Sequence, residues 1–160
     1  MSPNEHSTTE AKARHIGPGE GGRSRVFASE LEVKAGRDDG LSFGMFRSTF
    51  PPGAGMPFLH LHRTYEEAFY LIEGEVEFHL GGEEVRAVPG SAVLVPPGTP
   101  HCFRNVGERE ADWIVITTPA VAVQLIEEVG SVTAGALDAL AQLFDQYDSE
   151  LLERRPHWRQ

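Results

Sequence analysis

The stretch Phe58-Leu59-His60-Leu61-His62-Arg63-Thr64-Tyr65-Glu66-Glu67-Ala68-Phe69-Tyr70-Leu71-Ile72-Glu73-Gly74 decides the fold. Side chains two apart on a strand share a face. His60 and His62 therefore point one way, and Leu59 and Leu61 the other. Glu67, Phe69 and Leu71 share one face of the next run, and Ala68, Tyr70 and Ile72 the opposite face. A period of two on both sides of a polar break predicts two neighbouring strands, each with one buried face.

The same texture extends outward. Short β-rich runs cover roughly 26–34, 41–50, 56–62, 66–73, 75–80, 83–88, 91–95, 100–105 and 111–118. Asp38-Asp39-Gly40, Gly81-Gly82 and Pro96-Pro97-Gly98 supply turn chemistry between them. Gly81-Gly82 reads as a two-residue hairpin loop. Evenly spaced strands without an intervening helix predict a sandwich or barrel over residues 25–118.

The flanks differ. Residues 1–24 are polar and Gly-rich and read as a flexible arm. Gly17-x-Gly19-x-x-Gly22 has neither a strand before it nor a helix after it, so it is no dinucleotide fingerprint. Beyond Thr118 the period becomes helical over 119–153. Pro119 stands at a helix start, and Ala122, Leu125, Ile126 and Val129 form one stripe. Leu137, Leu140, Phe144, Tyr147 and Leu151 form a second. These helices are expected on the outside of the β-unit or on a second subunit. Residues 154–160 form a polar tail.

The 160 residues carry 14 basic against 24 acidic side chains, a net charge of −10. That balance opposes nucleic-acid and anionic-membrane binding, and the C-terminal helices are themselves acidic. The longest apolar runs are too short to span a bilayer, and Met1–Gly22 lacks the apolar core of a secretory leader. Cys102 is the single cysteine, so no intrachain disulfide forms. These features predict a cytoplasmic protein.

Of the seven histidines, His6, His15 and His157 lie in the flanks, and His79 alternates away from an apolar face and reads as solvated. His60, His62 and His101 remain. His101 opens a run in which it faces with Phe103. If Glu67 faces the barrel interior, its buried charge needs a partner or a metal. Three imidazoles and one carboxylate from separate strands make a plausible divalent-metal site.

These residues resemble the cupin family. His60-x-His62-x4-Glu67-x6-Gly74 is similar to its first motif, and Gly90-x5-Pro96-x-Gly98-x2-His101-x3-Asn105 to its second. One departure is the glycine usual six positions before the first histidine. Ala54 stands there, with Gly53 and Gly55 beside it, which reads as a one-residue loop shift. The resemblance implies an all-β double-stranded β-helix, a jelly-roll barrel with a short C-terminal helical extension. It places metal ligands at His60, His62, Glu67 and His101. They would hold one divalent transition metal (Fe, Mn, Ni, Co, Cu or Zn). Asn105 is expected to satisfy backbone groups at a strand end. Among small quercetin-dioxygenase-like cupins, the likeness implies a metal-dependent dioxygenase or oxidoreductase on a small aromatic or hydroxy-carbonyl compound. Glu67 would then also act as catalytic base. A redox-neutral isomerase or cyclase and a non-catalytic small-molecule- or metal-binding cupin are the alternatives. Phe58, Phe69, Leu71, Phe78 and Phe103 are the expected pocket residues, and Phe43 or Met45 and Val76 further candidates. Ala68, Tyr70 and Ile72 face outward and need a cover, which with the resemblance predicts a homodimer.

Overall fold

The computed structural model describes residues 11–133 and 135–154. Within them the strands are β1 (Gly22–Val26), β2 (Ser29–Ala35), β3 (Gly44–Phe50), β4 (Gly55–His62), β5 (Glu66–Glu73), β6 (Val76–Leu80), β7 (Glu83–Ala87), β8 (Ala92–Val95), β9 (His101–Asn105), β10 (Ala111–Thr118) and β11 (Ser149–Arg154). Two helices, α1 (Ala122–Val129) and α2 (Leu137–Gln146), stand between β10 and β11. The strands form two antiparallel sheets, β1-β2-β3-β10-β5-β8 and β11-β4-β9-β6-β7. This is the expected all-β jelly-roll barrel, and among the described residues only a single 3-10 turn, Arg37–Asp39, interrupts its first ten strands.

Alternation explains the two layers. β2 and β3 bury every second residue, because one face of each strand meets the opposite sheet and the other meets solvent. The inward residues Phe46, Phe50, Phe69, Leu71, Val76, Phe78, Trp113 and Val115 form the main core. Gly81 and Gly82 close the β6–β7 hairpin at φ 55° and 105°, the left-handed pair that a two-residue loop requires. Gly74 turns the chain at φ 87°, and a Cβ there would meet Ala111 Cα at 2.6 Å.

Four sequence expectations change. The run 26–34 is two strands, because Phe27-Ala28 makes a hairpin between β1 and β2. β1 therefore takes in the end of the arm expected over 1–24, and Lys34 Nζ ties residues 17 and 20 down through their carbonyls at 2.8 Å each. Residues 1–10, with His6, and 155–160, with His157, lie outside the described residues. The first helix opens at Ala122 rather than at Pro119. The second stripe does not stay helical to Leu151. α2 stops at Gln146, Asp148 turns left-handed at φ 54°, and residues 149–154 run as β11 along β4. The helices pack on the β-unit at one end and do not cover the outward row Ala68, Tyr70 and Ile72. Ala122, Leu125, Val129, Leu140, Leu143 and Phe144 cluster with Met56, Phe58 and Tyr65 and close that end. The outer face of the six-stranded sheet consequently stays open, with Tyr70 51% and Leu94 72% exposed. No helix among the described residues is long and apolar enough to cross a membrane.

Candidate metal centre

Three strands bring the four expected ligands together. β4 supplies His60 and His62, β9 supplies His101, and β5 supplies Glu67 from the facing sheet. β4 and β9 are neighbours, with His60 opposite His101. The turn before β9 is tied to the site as well: Gly98, at φ 77°, donates its N–H to the His62 carbonyl at 2.7 Å. All four side chains are buried, and one ligand atom from each lies within 4.8 Å of the others.

Hydrogen bonds determine which nitrogen of each ring faces inward. His60 Nδ1 lies 2.9 Å from the Phe58 carbonyl, and His101 Nδ1 lies 2.9 Å from the Thr99 carbonyl. A carbonyl only accepts, so both Nδ1 atoms carry the proton and both Nε2 atoms present lone pairs. His62 Nδ1 lies 2.8 Å from Ser149 Oγ. On the inner side, Glu67 Oε2 is 3.0 Å from His101 Nε2 and 3.3 Å from His62 Nε2. Lone pairs of nitrogen and carboxylate oxygen at these distances repel unless a proton or a metal cation lies among them. The donor set therefore fits a divalent metal: imidazole nitrogens, one carboxylate and no thiolate. Cys102 is fully buried, on the face of β9 opposite His101.

The electrostatics agree. Burial first, and then the neighbouring His101 and His62 rings, hold the His60 imidazole well below its usual 6.5, so it stays neutral as a ligand must. Burial pushes the Glu67 carboxyl up, but His62 and His101, which in the metal-free site share a proton with it where a cation would otherwise lie, outweigh burial. They hold Glu67 well below 4.5 and ionised.

Three of the four ligands, His60, His62 and Glu67, line a cavity of about 90 Å³. Phe69 and Phe103 line it beside them. Phe58, Leu71 and Phe78 do not. Phe58 packs under the helices, and Leu71 and Phe78 belong to the closed aromatic core. Val76 is core as well, and Phe43 and Met45 stand on a different groove. In their place the wall uses Phe27, Phe46, Met56, Trp113, Leu125 and Phe144, among others. Phe144 meets the edge of His60 at 5.5 Å and 88°. Ser29 and Ser48 are the polar wall residues outside the ligand cluster. The helical stripe 122–129 was visible in the sequence, but nothing in it signalled that the stripe faces the ligands. Asn105 behaves as expected, donating to the Phe50 and Arg109 carbonyls at 3.1 and 2.8 Å. His79 is half-buried rather than solvated.

Residues 46–117 match the family model described as the cupin domain. These residues are a cupin domain. The cupin resemblance extends to named proteins. The chain is 32% identical over 92 residues to the quercetin 2,3-dioxygenase of Bacillus subtilis (strain 168), covering 57% of this chain and 27% of that protein. It is 35% identical over 60 residues to the polyketide synthase CurC of Streptomyces cyaneus, covering 38% and 39%. It thus spans well under half the length of these curated relatives. Among solved structures, KdgF from Halomonas sp. superposes with a TM-score of 0.60 at 22% identity, covering 68% of this chain and 94% of that one. That likeness concerns the fold. The shifted glycine of the first cupin motif is explained by Gly55, where a Cβ would lie 2.2 Å from the Phe103 carbonyl oxygen. The close approach of β4 to β9 needs a glycine at 55, one position along.

Proposed function

We propose that this cupin is a metal-dependent dioxygenase or related oxidoreductase acting on a small aromatic or hydroxy-carbonyl compound. The observation that carries the reading is the buried cluster of three imidazoles and one carboxylate, of which His60, His62 and Glu67 line an apolar cavity. A divalent transition metal (Fe, Mn, Ni, Co, Cu or Zn) held by His60, His62, Glu67 and His101 would supply Lewis acidity and, where the ion is redox-active, a route for electrons to dioxygen.

The chain's own residues narrow the substrate. Phe46, Phe69, Phe103 and Trp113 present apolar walls, and no Lys or Arg lines the cavity among the described residues. Nothing there neutralises a phosphate, which counts against phosphorylated sugars. A cavity of about 90 Å³ is smaller than the roughly 300–1,000 Å³ of typical drug-sized pockets, which favours compounds shorter than a flavonol. Glu67, held ionised, is the wall group suited to take a proton from a substrate hydroxyl.

Elemental analysis of protein purified without added metal, followed by oxygen uptake on a panel of β-diketones, hydroxy-ketones and flavonols, tests the reading. Stoichiometric metal is expected, with oxygen consumed on the smaller compounds. Glu67→Gln should lower turnover by about 100-fold or more. Substrate conversion without oxygen uptake would replace the reading with the redox-neutral isomerase or cyclase. Absence of stoichiometric metal would replace it with a binding module.

A further inference from the structure

The cupin domain match ends at residue 117, yet one ligand is wired to a residue 32 positions beyond it. His60 and His101 each donate Nδ1–H to a carbonyl two residues earlier on their own segment, Phe58 and Thr99. These contacts are internal to the domain. His62 instead points Nδ1 at Ser149 Oγ, 87 residues away on β11. Ser149 is 1% exposed, so no bulk water substitutes for it.

The protons around Ser149 can be assigned. Its hydroxyl has one proton, and Oγ lies 3.0 Å from the Tyr147 carbonyl, which only accepts. With that proton given to Tyr147, Oγ accepts from its other two neighbours. These are His62 Nδ1–H at 2.8 Å and the Tyr65 hydroxyl at 3.0 Å. His62 is thereby held as the Nδ1–H tautomer, and its Nε2 lone pair is turned toward Glu67. Tyr65 also stacks on the His62 ring at 4.1 Å and 21°.

Several anchors hold Ser149 there. Asp148 takes the left-handed φ of 54° that swings the chain out of α2, a conformation Asp tolerates better than most residues. Its carbonyl accepts the Arg63 N–H at 2.8 Å, and the Arg63 guanidinium reaches Glu150 at 2.6 Å. The Tyr147 hydroxyl donates to Glu128 on α1 at 2.7 Å. The extension is thus clamped to the residue after His62 on one side and to α1 on the other.

We infer that Ser149 is a positioning residue of the metal centre, and that the C-terminal strand completes a site whose four ligands all lie in the cupin domain. This rests on the proposed metal-binding reading. Outer-shell partners of a ligating histidine set its tautomer and orientation, and their loss costs about 10–100-fold in metal affinity.

Two measurements on the full chain test it. In competition titrations with Co(II) alone, Ser149→Ala should bind about 10–100-fold more weakly, with an altered visible Co(II) spectrum. Ser149→Thr, which restores the hydroxyl, should recover both. A folded Ser149→Ala with wild-type affinity and spectrum would overturn the inference. Should Ser149→Ala not fold, long-range proton–nitrogen NMR on the metal-free wild type decides. His62 Nδ1 should carry a proton, and an unprotonated Nδ1 would overturn the inference. Wild-type protein that takes up no divalent metal defeats the proposed function instead, and the NMR result then still judges the hydrogen bond from Ser149.

Discussion

The two ends of the barrel interior share strands β5 and β9 and obey opposite chemistry. At the aromatic end, Trp113 lies 4.7 Å from Phe50 and 4.6 Å from Phe103, and Phe69 lies 5.3 Å from Phe78, ring centre to ring centre. At the other end, His60, His62, Glu67 and His101 are as thoroughly buried. β5 holds both environments, Leu71 in the aromatic core and Glu67 at the ligands. Burying four ionisable groups costs heavily unless each polar atom has a partner. The metal end meets that condition by giving every Nδ1–H an oxygen and by gathering every remaining lone pair on one point. The aromatic end owes its stability to packing, whereas the ligand end is built to gain stability from a bound cation.

Substitution separates the two. Phe78→Ala removes a side chain that is 1% exposed and should cost about 3–5 kcal/mol in denaturant unfolding. Protein that remains folded should keep its metal stoichiometry. At the other end, Co(II) at about 1,000 times its dissociation constant should stabilise the fold by about 4 kcal/mol. That amounts to a rise in melting temperature of about 8–16 °C in a chain of this size. His101→Ala should abolish that rise while changing the metal-free melting temperature much less. If Phe78→Ala lost metal binding in the folded state, or if His101→Ala kept the Co(II)-dependent rise, the two ends would not be independent in this way.

The contrast also marks what was legible in the sequence. His60, His62, Glu67 and His101 could be found because strand alternation is local, and two fixed spacings carry all four. The sandwich followed from turn residues such as Gly81-Gly82, whose conformation leaves few alternatives. Position along the barrel was not legible. Phe69, Leu71 and Phe78 all alternate inward, and only the three-dimensional taper decides that Phe69 meets the cavity while the other two are core. β11 was hidden for a different reason. Tyr147 and Leu151 continue the four-residue spacing of α2, so the apolar pattern reads as helix through the break. The turn rests on Asp148 rather than on a glycine or proline. Ser149 has no local signal at all, since its partner is 87 residues away.

Acid should act on the metal end first. Burial keeps His60 neutral in the folded, metal-free protein well below its ordinary 6.5, whereas the unfolded chain binds a proton there near 6.5. Below that pH the unfolded state holds more protons, so stability falls as pH falls. Between pH 7.5 and 5.5, His60 alone should account for about 1 kcal/mol. Glu67 contributes nothing to that change. Its carboxyl is held well below 4.5, so its stabilisation is complete above 4.5 and is lost only in stronger acid. Denaturant unfolding of wild type and His60→Gln at the two pH values checks this. An equal loss in both would assign the acid sensitivity to other groups.

The smallest expected effect lies outside the barrel, on a face with the apolar character of the interior and none of its burial. Leu94, at 72% exposed, stands opposite Ala68 across β8 and β5, and Ala68 stands opposite Ile116 on β10. The row is apolar across three strands, and the helices leave it bare because they are engaged over the metal end. Leu94→Asp removes no buried contact within one chain, so its unfolding free energy should stay within about 0.5 kcal/mol of wild type. Its metal affinity should not change either. The effect belongs to association. A contiguous apolar face on an otherwise acidic chain is where a second copy would sit, and a charge at the edge of that face, on β8, would be repeated across a two-fold axis. Light scattering at tens of micromolar should therefore give a dimer mass for wild type and a monomer mass for Leu94→Asp. A monomeric wild type would remove the homodimer and leave this face without a partner. A dimeric Leu94→Asp would move the contact elsewhere on the surface.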